Sequence, residues 1–403
     1  MTEPFATFDL VACYGIDFIS RAISYGTASL LAPARLRLGP SHIALICQHR
    51  GNPVWIESTS RCRHPCAILN ERVAGVQAHL PEERIEDYTA AGGRVGMLGK
   101  SWGGFNSLQI AALRPPELKA IITVCSTDDR YADDAHYMGG CLLNENLTWG
   151  AYFFTICGLP PDPALAGDRW REQWQQRLER LHPFISTWLR HQHRDDYWKQ
   201  GSVCEDFSRL ACPVFAVGGW ADGYSNAVPR LLAGLQVSRK GLIGPWGHLY
   251  PHNGRPGPAI GFLQEALRWW DHWLKGIDTR VMAEPQLRVW MPESAAVDSA
   301  GVQSGRWVAE HAWPSHHIVH RSYSLQEARL IRLEPGNHST DPGSEATPSP
   351  DGSPAELGFC SPQTVGLAAG SWCSFGEQGE LPGEQREDDG KSLTFDSLPL
   401  EER

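Results

Sequence analysis

Nowhere in the 403 residues does an apolar run approach the roughly 20 residues that a membrane-spanning helix needs, so no span and no membrane partner is expected. No cluster of lysine and arginine offers a track for phosphates, and a formal net charge of −10 opposes a polyanion, which excludes nucleic acid as a partner. The start, Met1-Thr2-Glu3-Pro4-Phe5, has no basic stretch leading into a long apolar one, so no secretory signal is expected. No C-x₂-C pair occurs. Cys47, His49, Cys62, His64 and Cys66 crowd together, but their spacing fits no common structural zinc site, and they read as loop thiols with no metal expected. The eleven cysteines are odd in number and scattered, the pattern of reduced thiols in a cytoplasmic protein rather than of a disulfide framework. What remains is a chain long enough for two or three domains with a sizeable core.

The most informative stretch is Gly99-Lys100-Ser101-Trp102-Gly103-Gly104. Before it, Arg94-Val95-Gly96-Met97-Leu98 reads as a buried strand. After it, Phe105 to Leu113 has a helical pattern stopped by Pro115-Pro116. Gly-x-Ser-x-Gly between a strand and a helix has the form of a nucleophile elbow, whose sharp turn strains the serine backbone and needs small flanking residues. Ser101 is the candidate nucleophile, and the backbone N–H of Trp102, opening the helix, a candidate oxyanion donor. A five-residue pattern with three fixed positions also arises by chance, but the order of strand and helix around it argues against that here.

A nucleophilic serine needs a base and a group to orient that base. Pro213 to Gly219 is an apolar strand running into Trp220-Ala221-Asp222-Gly223, and Lys240 to Gly244 runs into Pro245-Trp246-Gly247-His248. An acid and a histidine thus follow the serine in the order Ser, Asp, His, each just past a strand end, where open α/β sheets bind ligands. Singly, Asp222 is a turn former and His248 one of sixteen histidines. As an ordered set behind an elbow they form the candidate triad Ser101, Asp222 and His248.

These residues carry a resemblance. The elbow, Ile121 to Tyr131, Gly218 to Gly223 and Gly244 to His248 resemble the cocaine-esterase-like (CocE/NonD) hydrolases, relatives of X-prolyl dipeptidyl-peptidases and α-amino-acid ester hydrolases. The resemblance covers about 94–403. It implies an α/β-hydrolase core with a helical cap insertion and a C-terminal β jelly roll, with Ser101 as nucleophile, Asp222 as acid and His248 as base.

Between the elbow and Asp222, residues from Leu142 to Trp198 turn helical, with Trp149, Trp170, Trp174, Trp188 and Trp198 spread along them. This is the expected cap, at about 128–205 of a core spanning 94–280. Trp149, Trp220 and Trp246 are candidate walls of an acyl pocket, although aromatic residues at such spacing more often fill a core. The acidic pairs Asp128-Asp129 and Asp133-Asp134 either anchor a substrate amine or are solvated turn residues.

From Glu284 onward, Leu287 to Met291, Arg306 to Glu310, Gln363 to Leu367 and Ser392 to Phe395 read as short strands around a Pro/Ser/Gly-rich stretch at 334–356. A two-sheet sandwich takes about eight strands. Residues 284–403 are therefore expected to form a jelly roll that is incomplete, cut short relative to the family.

Residues 1–93 depart from that family. Asp9 to Cys13, Ser41 to Ile46 and Pro53 to Ser58 instead resemble the permuted NlpC-type (YiiX-like) papain-like amidases, an α+β fragment. That resemblance implies a vestigial cysteine-amidase site with His42 as its histidine and Glu57 as its acidic partner, and with Cys13 on the wrong side of the histidine. A join near Tyr88 to Val95 follows, which leaves the elbow strand without its usual neighbour. The family's second oxyanion donor, a tyrosine hydroxyl, has no positional match in Tyr14, Tyr25 or Tyr88.

The expected protein is α/β in class, a serine hydrolase cleaving carboxylic ester or amide bonds, aminoacyl or X-prolyl ones included, through an acyl-enzyme on Ser101. It needs no cofactor, and its partner is a small-molecule ester, amide or short peptide. The rival readings are a catalytically impaired fusion product and an acyl- or peptide-binding protein. Nothing in the sequence fixes the oligomeric state.

Overall fold

The computed structural model describes residues 44–46, 94–116, 118–293, 301–326, 329–333, 360–377 and 379–399. The chain divides into two compact units, Met1–Pro314 and Ser315–Arg403. His42, Glu57, Cys13 and the tyrosines at 14, 25 and 88 lie outside the described residues.

The first unit is built on one twisted sheet. Its strands are β1 (Ala44–Ile46), β2 (Val95–Lys100), β3 (Leu118–Val124), β6 (Val214–Gly219), β7 (Arg239–Gly244), β8 (Leu287–Pro292) and β9 (Gly305–Glu310), in that spatial order. A small antiparallel pair, β4 (Tyr137–Met138) and β5 (Cys141–Leu142), stands apart from it. All neighbours in the large sheet are parallel except β8 with β9. Parallel strands are covered on both faces and so carry continuous apolar runs. Every residue of β6 is buried, and in β3 only Lys119 is exposed.

Helix α1 (Trp102–Ala112) and helix α7 (Ala227–Gly234) cover one face, where Leu108, Ala111, Ile121, Val214, Leu231 and Leu232 form a core. Helix α8 (Phe262–Trp273) covers the other. Its buried Phe262, Ala266, Trp269 and Trp270 recur at the spacing of one helical face and meet Ile122, Phe215 and Leu242 of the sheet. Between β3 and β6 the chain leaves the sheet for α2 (Glu145–Cys157), α3 (Pro163–Ala166), α4 (Trp170–Arg180), α5 (Phe184–Trp188) and α6 (Asp196–Lys199). This helical insertion has a core of its own, with Tyr137, Phe184, Trp188 and Trp198.

Two features differ from the sequence-based expectation. The elbow strand β2 is not at an edge, because β1 pairs with it in parallel, Ala44 opposite Val95 and Ile46 opposite Met97. Strands β8 and β9, expected to open a separate jelly roll, instead extend the large sheet, with Gly241 opposite Leu287 and Trp290 opposite Trp307. In the second unit the described residues contain one hairpin, β10 (Tyr323–Gln326) with β11 (Arg329–Arg332), and a single helical turn, α9 (Arg386–Asp389). No helix among the described residues is long and apolar enough to cross a membrane.

Candidate active site

The turn from β2 into α1 holds Ser101 at φ 59° and ψ −124°, a conformation that L-residues rarely adopt and that costs about 1–3 kcal/mol. Two hydrogen bonds impose it. Ser101 N–H donates to Val124 O at 2.8 Å, and Phe105 N–H donates to Ser101 O at 2.9 Å. The flanking glycines let strand and helix approach. A β-carbon on Gly99 would run into the backbone carbonyl of Gly103, and one on Gly104 would lie 2.8 Å from Thr123 Oγ1. Because the obstacle at Gly99 is backbone, it cannot rotate away. Gly99→Ala is therefore expected to destabilise the fold by about 3 kcal/mol or more, read as a lowered urea midpoint; an unchanged midpoint would contradict this close approach.

Asp222 and His248 sit in the loops that follow β6 and β7. Asp222 Oδ1 and His248 Nδ1 are 2.8 Å apart, and both side chains are essentially shielded from water. Ser101, Asp222 and His248 thus all follow the C-terminal ends of strands in the middle of one parallel sheet, with β3 between the serine and the other two. The N–H of Trp102 lies in the first turn of α1, where helical amides have no partner within the helix. A cleft of about 270 Å³ at Leu118, Cys212 and Pro213 lies at the opposite strand ends and is not part of this arrangement.

Sequence reasoning missed four side chains here. Lys100, buried beside the serine, donates from Nζ to His248 O at 2.8 Å and so ties the elbow to the histidine loop. Cys125, just past β3, has one ligating atom in a group with Asp222 and His248 in which all three lie within 4.8 Å of one another. Tyr224 places its ring 5.8 Å from that of His248 and donates from its hydroxyl to Asp134 Oδ1 at 3.0 Å. Arg130 bonds Asp134 Oδ2 at 2.9 Å and lies over the rings of Trp102, Phe105 and Trp198. Lys100 lies inside the elbow motif, and Cys125 and Arg130 lie inside the Ile121 to Tyr131 stretch that carries the resemblance, whereas Tyr224 falls just outside the quoted motifs.

The three tryptophans named as pocket walls have different fates. Trp149, on α2, stacks on Phe153, whose ring is 5.9 Å from that of Trp102, so the insertion reaches the elbow one ring away. Trp220 is 44% exposed and donates from its indole to Trp290 O on β8. Trp246 is a correction: it is fully buried, donates to Pro258 O, and packs against Gly244 and Gly254, which leave room for its ring. It belongs to the core.

The acidic pairs are corrected as well, since they are not solvated turn residues. Asp128 and Asp133 both meet Arg230, Asp129 takes Arg194 Nη1 on both oxygens at 2.8 Å, and Asp134 takes Arg130. Burial raises the Asp128 and Asp133 carboxyls despite Arg230. At Asp129 burial is outweighed by the Ala132 and Tyr131 amides and by Arg194, and its pKa is lowered.

His136 completes this network, with Nδ1 2.9 Å from Asn146 Oδ1 and Nε2 2.9 Å from Arg130 Nη2. Burial holds its pKa down to about 4. A histidine kept neutral in the fold but protonated in the unfolded chain makes the unfolded state bind more protons. Stability is then expected to be unaffected by this group above pH ~6.5 and to fall by about 3 kcal/mol as pH drops from ~6.5 to ~4. Urea midpoints across that range, compared with His136→Asn, check it; identical pH slopes would contradict it.

Part of the chain is similar to known proteins. The family described as X-Pro dipeptidyl-peptidase (S15 family) matches residues 76–250. A candidate serine esterase of Mycobacterium bovis is 27% identical over 253 residues, covering 60% of this chain and 35% of its own. A candidate Xaa-Pro dipeptidyl-peptidase of Streptomyces avermitilis is 26% identical over 251 residues, covering 61% and 33%. A solved CocE/NonD family hydrolase from Staphylococcus aureus has a TM-score of 0.44 at 16% identity, covering 60% of this chain and 39% of its own. The chain spans about a third of the length of the curated relatives it matches. An S15-type segment thus spans the elbow, the acid and the histidine.

Proposed function

We propose that the chain hydrolyses carboxylic esters through an acyl-enzyme on Ser101. One observation carries this reading: a serine forced to φ 59° at a strand–helix elbow stands at the same C-terminal strand ends of the sheet as a buried, hydrogen-bonded histidine–aspartate pair. His248 takes the proton from Ser101 Oγ as the oxygen attacks the carbonyl carbon. Asp222 fixes the imidazole tautomer and stabilises the imidazolium. The tetrahedral oxyanion is met by the N–H of Trp102. His248 then passes its proton to the leaving alkoxide, and a water activated by the same imidazole releases the acid. An oxyanion hole with one donor fewer works about 10²–10³-fold more slowly, so Trp102 alone supports a slow enzyme. None of these steps calls for a metal or organic cofactor.

The ion pairs in and beside the insertion favour one substrate class. Asp128, Asp129, Asp133 and Asp134 are each engaged by an arginine, so none of them is left over for the ammonium of an aminoacyl or peptide substrate. The rings of Trp149, Phe153 and Trp102 offer an apolar surface beside the serine instead. Esters of neutral acyl groups are therefore the proposed substrates. Stopped-flow hydrolysis of p-nitrophenyl esters is expected to show a burst of nitrophenol, and N-acetylated aminoacyl esters to react at least as fast as their free-amine forms. A preference of tenfold or more for the free amine would overturn the substrate class; absence of any turnover by folded protein would overturn the activity.

A further inference from the structure

We propose that Cys125, Asp222 and His248 form a binding site for a borderline or soft divalent cation, with zinc as the type case, that switches hydrolysis off. Among the described residues this is the one group of three metal-capable side chains found together. The topology creates it. Cys125 follows β3, the strand between that of the serine and that of Asp222, and its N–H donates to Val217 O on β6 at 2.8 Å. That bond holds Cys125 at φ 48°, with Sγ 3.9 Å from Leu249 O in the histidine loop.

The donor set suits the ion. Thiolate sulfur, imidazole nitrogen and carboxylate oxygen are the three ligand types zinc takes. Their atoms lie within 4.8 Å of one another. A tetrahedral zinc with bonds of about 2.0–2.3 Å sets ligand atoms roughly 3.3–3.8 Å apart, an approach of about 1 Å that side-chain torsions supply. A second observation points to a cation: Asp222 Oδ2 is buried and has no hydrogen-bond partner. Burying a carboxylate oxygen unsatisfied is costly, and a cation at that oxygen relieves the cost.

The step balances without an oxidant. The S–H bond of Cys125 breaks, its proton leaves to solvent, and a sulfur–metal bond forms. Thiolate and carboxylate together cancel the two positive charges, which leaves a neutral buried group. The imidazole binds as a neutral ligand. An imidazole held by the metal no longer takes the proton of Ser101, so binding and catalysis exclude each other. This consequence rests on the hydrolase reading above, whereas the binding itself does not.

The test uses the full chain with cadmium and zinc ions as probes. Cadmium titration of the wild type, Cys125→Ser and Cys125→Ala is followed by thiolate-to-metal charge-transfer absorption, with circular dichroism to select folded variants. The other cysteines contribute alike to all three proteins, so the difference spectrum isolates Cys125. The expected result is one saturating transition present in the wild type and missing from either folded variant. Zinc should inhibit wild-type ester hydrolysis reversibly, and the half-inhibiting concentration should rise on the order of 100-fold in the variant. A flat difference spectrum overturns the site, whatever the activity. A normal difference spectrum with equal zinc inhibition in variant and wild type overturns the switch. If the wild type shows no turnover, the spectrum alone decides the site, and the hydrolase reading fails separately.

Discussion

Replacing Ser101 with alanine is expected to lower kcat for ester hydrolysis by roughly 10⁶-fold, about 8 kcal/mol of transition-state stabilisation. The size follows from the geometry. Ser101 Oγ stands at a turn that no ordinary residue would choose, and the two backbone hydrogen bonds that fix it do not involve the side chain. Alanine therefore leaves the elbow intact and removes only the nucleophile. The fold should keep its urea midpoint while turnover falls to the level that a water molecule, the Trp102 amide and substrate binding support. Single-turnover assays alongside the melt separate these effects. Turnover within tenfold of wild type would move the chemistry to another residue.

Asp222→Asn is expected to cost about 10⁴-fold in kcat with little change in KM. Asp222 Oδ1 receives the hydrogen of His248 Nδ1 at 2.8 Å in a site with almost no access to water. An asparagine of the same shape, presenting its amide nitrogen there, meets Nδ1 as a donor rather than an acceptor. The imidazole must then carry its proton on the other nitrogen, the one needed to receive the proton of Ser101. The buried imidazolium formed during attack also loses its counter-charge, which water cannot replace. A loss below tenfold would mean that the pair in the structure is not the pair that acts.

The parts of this account that were legible in the sequence are local. The elbow is a run of six residues whose turn, strand and helix each leave a pattern, and the acid and histidine each end an apolar strand. What was not legible depends on who sits beside whom. The strand patterns at Leu287 to Met291 and Arg306 to Glu310 are plain, yet nothing in them says that their partner is β7 rather than a second sheet. Strand β1 is three residues long, within a segment whose motifs resemble a different family. Trp246 read as a pocket wall because it stands two residues before His248; the space that Gly244 and Gly254 clear for its ring exists only after folding. Asp128, Asp129 and Asp133 looked available because their arginines are remote in sequence, Arg230 being 102 residues from Asp128 and Arg194 65 from Asp129, whereas the arginine that meets Asp134 is the nearby Arg130. Cys125 is also far from Asp222 and His248 along the chain and meets them only because β3, β6 and β7 are successive neighbours in the sheet.

The central claim, that Ser101 is an activated nucleophile served by His248 and Asp222, is tested most directly by intact mass after exposure to a fluorophosphonate probe. Such a probe phosphonylates a serine whose proton a neighbouring base removes, and it requires no knowledge of the substrate. The account predicts one adduct per chain, mapped to the peptide that contains Ser101 and missing from Ser101→Ala. An unlabelled wild type that circular dichroism shows to be folded, or an adduct that persists in the alanine variant, would contradict it.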